Sequence, residues 1–168
     1  MLGQLYERAL GGERCWIRHD DGHVRTLPVR NWLGGRHADR TFDRAVLSLC
    51  SGPTIDLGCG PGRLVADLIQ RGVPALGVDQ SAAAVELARR SGAPVLRRDL
   101  FGPLPGAGRW HTVLLADGNV GLDGDPWRVL QRAGELLRRG GRCVAEFDPV
   151  ARGVRVSWVR LESTRTIG

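Results

Sequence analysis

Thr54-Ile55-Asp56-Leu57-Gly58-Cys59-Gly60-Pro61-Gly62-Arg63-Leu64-Val65 is the stretch that decides the fold. A short β-prone run meets a turn in which every second residue is glycine, and a helical stripe of Leu64, Val65, Leu68 and Ile69 follows at once. This order predicts a strand, a tight loop and a helix N-terminus, where bare backbone with free N–H groups can approach a ligand closely. The glycine spacing limits which ligand. A dinucleotide fingerprint, Gly-x-Gly-x-x-Gly, fails because Arg63 takes the third glycine's place counted from Gly58, and Val65 takes it counted from Gly60. No Gly-Lys-Ser/Thr follows, which excludes a phosphate-binding P-loop. Asp56, two positions before the first glycine, is also a poor neighbour for a pyrophosphate.

Downstream the rhythm of strand then helix repeats. Ala75–Val78, Val95–Arg98, Thr112–Ala116 and Cys143–Phe147 read, with Thr54–Leu57, as strands buried on both faces. Between them lie a segment with Val85 and Ala88 that Ser81 can cap, and a stripe of Leu130, Ala133, Leu136 and Leu137. That last helix takes Asp125 as N-cap and Pro126 at its first position, with Gly140-Gly141 as its stop. The stretch between Asp99 and Trp110, rich in glycine and proline, reads as a loop. Upstream, Leu2, Leu5, Tyr6, Ala9 and Leu10 predict a short helix closed by Gly11-Gly12. Cys15–His19 and His23–Val29 predict a hairpin around Asp20-Asp21-Gly22, in which Asp-Gly is a favoured two-residue turn, and Phe42, Val46, Leu49 and Cys50 mark a helix over Thr41–Cys50, with Asp39 or Thr41 as its cap. The whole is a doubly wound, mostly parallel α/β sheet preceded by a helix and a β-hairpin.

In such sheets ligands bind beyond the carboxyl ends of the strands. Each of those ends carries an acid: Asp56, Asp79, Asp99, Asp117 with Asn119, then Glu146 and Asp148. Any one of them is better explained as a turn or cap residue. Together on one rim they favour a ligand with positive charge, hydroxyls and amine donors.

In this order the motifs resemble those of the class I, Rossmann-like S-adenosylmethionine-dependent methyltransferases. Asp56-x-Gly58-x-Gly60-x-Gly62 is similar to the family's first motif, and Gly77-Val78-Asp79 to the acidic end of its second strand. Arg98-Asp99-Leu100 resembles the adenine-contacting segment, and Leu136-Leu137-Arg138-Arg139-Gly140-Gly141 the stretch before the fifth strand. The resemblance spans Pro53 to Asp148. It implies S-adenosylmethionine as cofactor, with the Gly58-Cys59-Gly60-Pro61-Gly62 backbone cradling its methionine part and Asp56 orienting that loop. It implies that Asp79 accepts from the ribose hydroxyls, that Asp99 and the Leu100 N–H meet the adenine, and that Asp117 borders the cofactor. Gln80 stands where the family usually has an apolar residue against the adenine, so its aliphatic stem would substitute.

The resemblance says nothing of the methyl acceptor. A base is optional when the donor is already activated, and Asp117, Asn119 and His23 are the candidates for one, with His19, Glu146 and Asp148 also near the rim. With Asp21-Gly22 as the two turn residues, His19 pairs with Val24, so His19 and His23 face opposite ways and cannot serve one site. For either histidine, exposed hairpin polarity outweighs catalysis. His111, at the start of its strand, reads as structural. Asp117-Gly118-Asn119 lacks the Asn/Asp-Pro-Pro-aromatic pattern of enzymes that methylate nucleic-acid bases, and the five tryptophans do not interleave with an arginine cluster. A small-molecule acceptor is therefore preferred over nucleic acid, with a cofactor-binding or regulatory module without turnover, or an RNA or protein methyltransferase, as alternatives. A nicotinamide oxidoreductase is disfavoured by the glycine spacing.

Composition sets the remaining bounds. The 168 residues carry a net charge of +6, and all 24 basic residues are arginine. The absence of lysine beside 24 glycines points to a solvated surface written in arginine rather than to a polyanion-binding face. No apolar run is long enough to span a bilayer and no signal peptide is visible, so the expectation is a cytoplasmic protein without a membrane partner. Cys15, Cys50, Cys59 and Cys143 are too scattered for a zinc site or a disulfide framework. Residues 1–40 form an acceptor-side extension and 41–168 the cofactor-binding domain. That domain falls short of the family's seven strands, because Gly153–Leu161 supplies one further strand at most. Truncation is the favoured explanation, and a second subunit covering the sheet edge is the other.

Overall fold

The computed structural model describes residues 2–35, 37–147 and 159–164. Thr54–Leu57 (β3) is the centre of a five-stranded sheet with Ala75–Asp79 (β4), Val95–Arg97 (β5), Trp110–Leu115 (β6) and Leu137–Ala145 (β7), in the order β5-β4-β3-β6-β7. Every pairing is parallel. Alternation along the strands sends apolar side chains to both faces. Ile55, Leu57, Val113 and Leu115 pack with Val129, Ala133 and Leu136 of Pro126–Leu136 (α6) on one face. Leu114 and Ala116 pack on the other with Leu47 of His37–Ser48 (α3) and with Leu64 and Leu68 of Arg63–Gln70 (α4). Val85 and Ala88 of Ala82–Arg90 (α5) join Cys59, Val65 and Val95. Each fully buried Leu, Ile or Val contributes roughly 1.5–3 kcal/mol, so this two-sided burial fixes where the strand ends point.

The helix caps follow the sequence. Ser81 Oγ accepts from Ala84 N and the Asp125 carboxylate from Arg128 N, with Pro126 in the first turn of α6. Several boundaries do not. Helix α6 ends at Leu136, and Leu137 is already extended, so Gly140-Gly141 lies within β7 rather than at the helix stop. Pairing of Leu137 with Trp110 draws the chain into the sheet early, through a register shift before Thr112 meets Arg142. Helix α3 starts at His37, which places Asp39 and Thr41 inside it rather than at its cap. Ile69 of the expected α4 stripe is exposed.

The N-terminal part forms Leu2–Leu10 (α1), a hairpin of Cys15–His19 (β1) and Val24–Thr26 (β2), and a short helix Val29–Trp32 (α2). The second hairpin run stops at Thr26, and α2 begins after Pro28. The register is one residue from that expected: Arg18 pairs with Val24, and the His19 N–H donates to His23 O. A two-residue turn of the tightest kind needs positive φ at both central residues, but only Gly22, at +86°, has it. The loop therefore takes three residues, Asp20–Gly22, and His19 and His23 stand opposite each other instead of on opposite faces. The strand expected within Gly153–Leu161 begins at Val159 among the described residues, and 153–158 lie outside them. It does not extend the parallel sheet. Val159–Ser163 (β8) pairs antiparallel with β1, giving a separate sheet in the order β2-β1-β8. No helix among the described residues is long and apolar enough to cross a membrane.

Candidate functional site

A cavity of about 630 Å³ opens at the carboxyl ends of β3, β4 and β6. Its floor is the loop Gly58–Pro61. The loop takes its shape from positive φ at Gly58 and Gly60, and from Asn119, whose Nδ2 donates to Leu57 O at 2.9 Å and Gly58 O at 2.8 Å. A Cβ at Gly58 would lie 2.8 Å from Asn119 Nδ2 and 2.9 Å from Leu122 Cδ1, so only glycine fits beneath that clamp. Gly62, also at positive φ, does not line the cavity. It is the N-cap position of α4, and a Cβ there would meet Ala88 and Ala93.

Asp79, at the end of β4, forms one wall with Gln80 and Ser81. Its Oδ2 accepts from Gly60 N at 2.9 Å and its Oδ1 from Ser81 N at 2.8 Å, which ties the loop to the second strand. Burial raises its carboxyl above the usual range, opposed by the N–H groups of Ser81, Gly60 and Gln80. Asp56 does not reach the cavity. It is only 2 % exposed within β3, on the α3/α4 face, and its Oδ1 has no hydrogen-bond partner among the described residues. Burial pushes its carboxyl up to about 7, with Asp117 and Asp79 adding to the rise and Arg63 opposing it.

The opposite wall is Asp117, Asn119 and Arg63. Asp117 follows β6 with φ +54°, a conformation that side chains seldom adopt. Its N–H donates to Glu146 Oε2 at 2.5 Å, and its carboxylate accepts from Arg63 Nη1 at 2.5 Å and Nη2 at 3.1 Å. Arg63, the first residue of α4, also donates through Nε and Nη2 to Asp43 of α3, at 3.1 and 3.0 Å. Burial opposes the guanidinium charge, and the bonds to Asp117 and Asp43 outweigh it.

The roof comes from the N-terminal part. Tyr6 of α1 stands over Gly60, its Oη 3.1 Å from where a Cβ would sit, and its ring meets Trp32 of α2 edge-on at 5.4 Å. Burial first, then the carboxylates of Asp79 and Asp117, raise the Tyr6 phenol far above its ordinary range, so it stays protonated. Glu7 Oε1 accepts from Ser81 Oγ at 3.1 Å and Ala82 N at 2.9 Å, docking α1 on the N-terminus of α5. Leu161 of β8 completes the lining.

The structure thus brings together Gly58, Cys59, Gly60, Asp79, Gln80, Asp117 and Asn119, and it leaves other sequence candidates elsewhere. Asp99 is outside the cavity, accepting from Phe101 N and Gln80 Nε2, and borders a shallow pocket with Gln80, Arg97 and Arg98. Leu100 is buried in the core. His23 is exposed on the hairpin and does not line the cavity, nor does His19. Glu146 acts behind Asp117, and Asp148 lies outside the described residues. Sequence reasoning missed Glu7, Trp32, Arg63 and Asp43, and read Tyr6 only as part of an apolar stripe. A tyrosine beside a glutamate in an amphipathic helix carries no local sign of what that helix covers.

Solved structures share this fold. The S-adenosylmethionine-dependent methyltransferase of Bacteroides fragilis, crystallised with S-adenosyl-L-homocysteine, aligns over 84% of this chain with a TM-score of 0.67 at 21% identity. A Thermotoga maritima methyltransferase, described as a possible histamine N-methyltransferase, aligns over 85% with a TM-score of 0.63 at 23% identity. A sugar N-methyltransferase from Streptoalloteichus aligns over 66% with a TM-score of 0.52 at 24% identity. This chain spans 62%, 60% and 48% of their respective lengths. No curated protein matches it significantly. Residues 55–141, which run from β3 into β7 and include the glycine loop, Asp79 and Asp117, match the family model for a methyltransferase domain. That match covers more than half of the sequence, and the chain belongs to the methyltransferase domain family.

Proposed function

We propose that this chain binds S-adenosylmethionine in the cavity above Gly58–Pro61 and transfers its methyl group to a small-molecule acceptor. The observation that carries the reading is the joining of a bare-backbone floor to the Asp79 carboxylate at the carboxyl ends of adjacent parallel strands. The residues present suit that cofactor. Gly60 leaves room beside Tyr6 where any side chain would stand, and the wall carboxylates suit a ligand with hydroxyls, an ammonium and a sulfonium. When bound, the cofactor supplies a methyl group already activated by its positively charged sulfur.

The protein's task is then to hold and align. Beyond its bonds to Gly60 N and Ser81 N, the Asp79 carboxylate keeps acceptor capacity for ribose hydroxyls. The Gly58–Pro61 backbone meets the methionine part, and Gln80 lies on the side where the adenine would extend toward Asp99. Tyr6 and Trp32 close the opposite side and exclude water. Asn119 is a positioning residue, since its amide nitrogen spends both hydrogens on fixing the loop. Asp117 is held by Arg63, which leaves it an electrostatic wall rather than a free base. A small acceptor accords with the size of the cavity, and with the histamine and sugar substrates named for two structural neighbours.

Calorimetric titration with S-adenosylhomocysteine tests the reading. Native protein should bind with one-to-one stoichiometry and Asp79→Ala should lose at least tenfold in affinity, the scale of one charge-assisted hydrogen bond. No binding by folded native protein, or unchanged binding in Asp79→Ala, would overturn it. Incubation with labelled cofactor and a small-molecule extract would then identify the acceptor.

A further inference from the structure

The cavity wall contains one cation among its described residues, Arg63, and three carboxylates, Glu7, Asp79 and Asp117. A guanidinium facing a site built for a positively charged ligand is a liability, because like charges in a partly desolvated space repel strongly. Its surroundings answer this. Arg63 makes two bonds to Asp117 inside the cavity and two to Asp43 outside it, so four of its N–H bonds end on carboxylates. Asp43 is 7 % exposed, sits on α3, and is not part of the lining. It makes no bond that would shape the cavity directly.

We propose that Asp43 is a specificity-determining residue which, acting through Arg63, masks the one cavity cation and makes the site favour a positively charged ligand over its neutral counterpart. Without Asp43, the Asp117 carboxylate would be consumed in neutralising Arg63 and the wall would lose one negative charge. With it, Arg63 belongs as much to α3 as to the cavity, and part of its charge is balanced from outside the wall. The inference rests on the cofactor reading above and deepens it. S-adenosylmethionine and S-adenosylhomocysteine differ by one methyl group and one positive charge, so the mask favours the methyl donor over the spent product. Asp43 is thus a positioning residue for charge, one side chain behind the cavity wall.

The test is the ratio of the two affinities, which a purely structural role would not move. Native protein, Asp43→Asn, Arg63→Gln and the double variant are titrated with each compound, and their melting temperatures are recorded. Native protein should bind the donor more tightly than the product. Asp43→Asn should shrink that preference by up to about tenfold, the scale of one unit charge acting over ~10 Å at an effective dielectric constant near 20. The double variant should restore it, and Arg63→Gln alone should raise it. If Asp43→Asn does not fold, Arg63→Gln and the double variant carry the test by themselves. A ratio that stays at the native value in both folded single variants, or a double variant that departs from it, overturns the proposal while leaving the cofactor reading intact. Native protein that binds neither compound overturns both.

Discussion

Two parts of the molecule bound the same cavity by different means. The Gly58–Pro61 floor is made of backbone, shaped by positive φ at two glycines and clamped by Asn119 and Asp79. The α1 roof is made of side chains, and it is docked through Glu7, Tyr6 and Trp32. A backbone wall tolerates no substitution because its contacts leave no volume, whereas a side-chain wall can give way one contact at a time. The floor should therefore fail abruptly and the roof gradually.

The largest effect is expected at the floor. Gly58→Ala places a methyl group within 3 Å of Asn119 and Leu122 at a left-handed φ. The backbone strain alone costs about 1–2 kcal/mol, and overpacking adds roughly 1–3 kcal/mol. Thermal unfolding should show that loss, and calorimetry should show no binding of S-adenosylhomocysteine. Native-like binding would mean that the floor is as pliable as the roof.

Beneath the floor, Asp56 gives a pH signature. Its carboxyl is raised to about 7 in the folded chain from an ordinary value near 3.8. The folded state holds that proton more tightly than the unfolded one, so its stabilising contribution is full below the ordinary value and is lost as pH rises toward 7. Asp56→Asn should thus gain stability relative to the native chain at pH 8 but little at pH 4, by an amount on the order of 4 kcal/mol. Melting curves of both proteins across that range check the sign. A difference that is flat with pH would show that Asp56 ionises as freely as a surface carboxylate.

Roof substitutions should cost less. Glu7→Gln keeps the length of the side chain but removes the charge facing the N-terminus of α5, a loss of about 0.5–1 kcal/mol with weakened ligand binding. Tyr6→Phe should lower affinity for S-adenosylhomocysteine by less than tenfold, since it deletes one hydroxyl and keeps the ring against Trp32. A collapse of binding in either variant would make the roof as decisive as the floor. Smallest of all is His23→Ala on the exposed hairpin, which should stay within about 0.5 kcal/mol of native and leave binding unchanged.

The floor was legible because its chemistry is local. Strand, glycine turn and helix start lie within a dozen residues, and each has a short-range signature: a short apolar run, glycine at every second position, and an apolar stripe at helical spacing. Asp79 was legible for the same reason, standing at the end of an apolar run. Asn119 was noticed only as a polar group near the rim, since its clamp on Leu57 and Gly58 spans some 60 residues of sequence. The hairpin shows how little is needed to mislead: one extra turn residue, Asp20, brought two histidines face to face that a two-residue turn would have separated. The last strand was visible as a β-prone run, but nothing local told β7 from β1 as its partner.

By itself the sequence determined a parallel α/β sheet, its glycine loop and the acids at its strand ends, because periodicity, turn chemistry and caps act between residues a few positions apart. Only the tertiary structure decided that α1 covers the cavity, that Asp43 reaches it through Arg63, and that Asp99 and His23 stand outside it. Those facts depend on which faces pack together, and packing of distant segments is set by the fit of whole surfaces rather than by any residue's immediate neighbours.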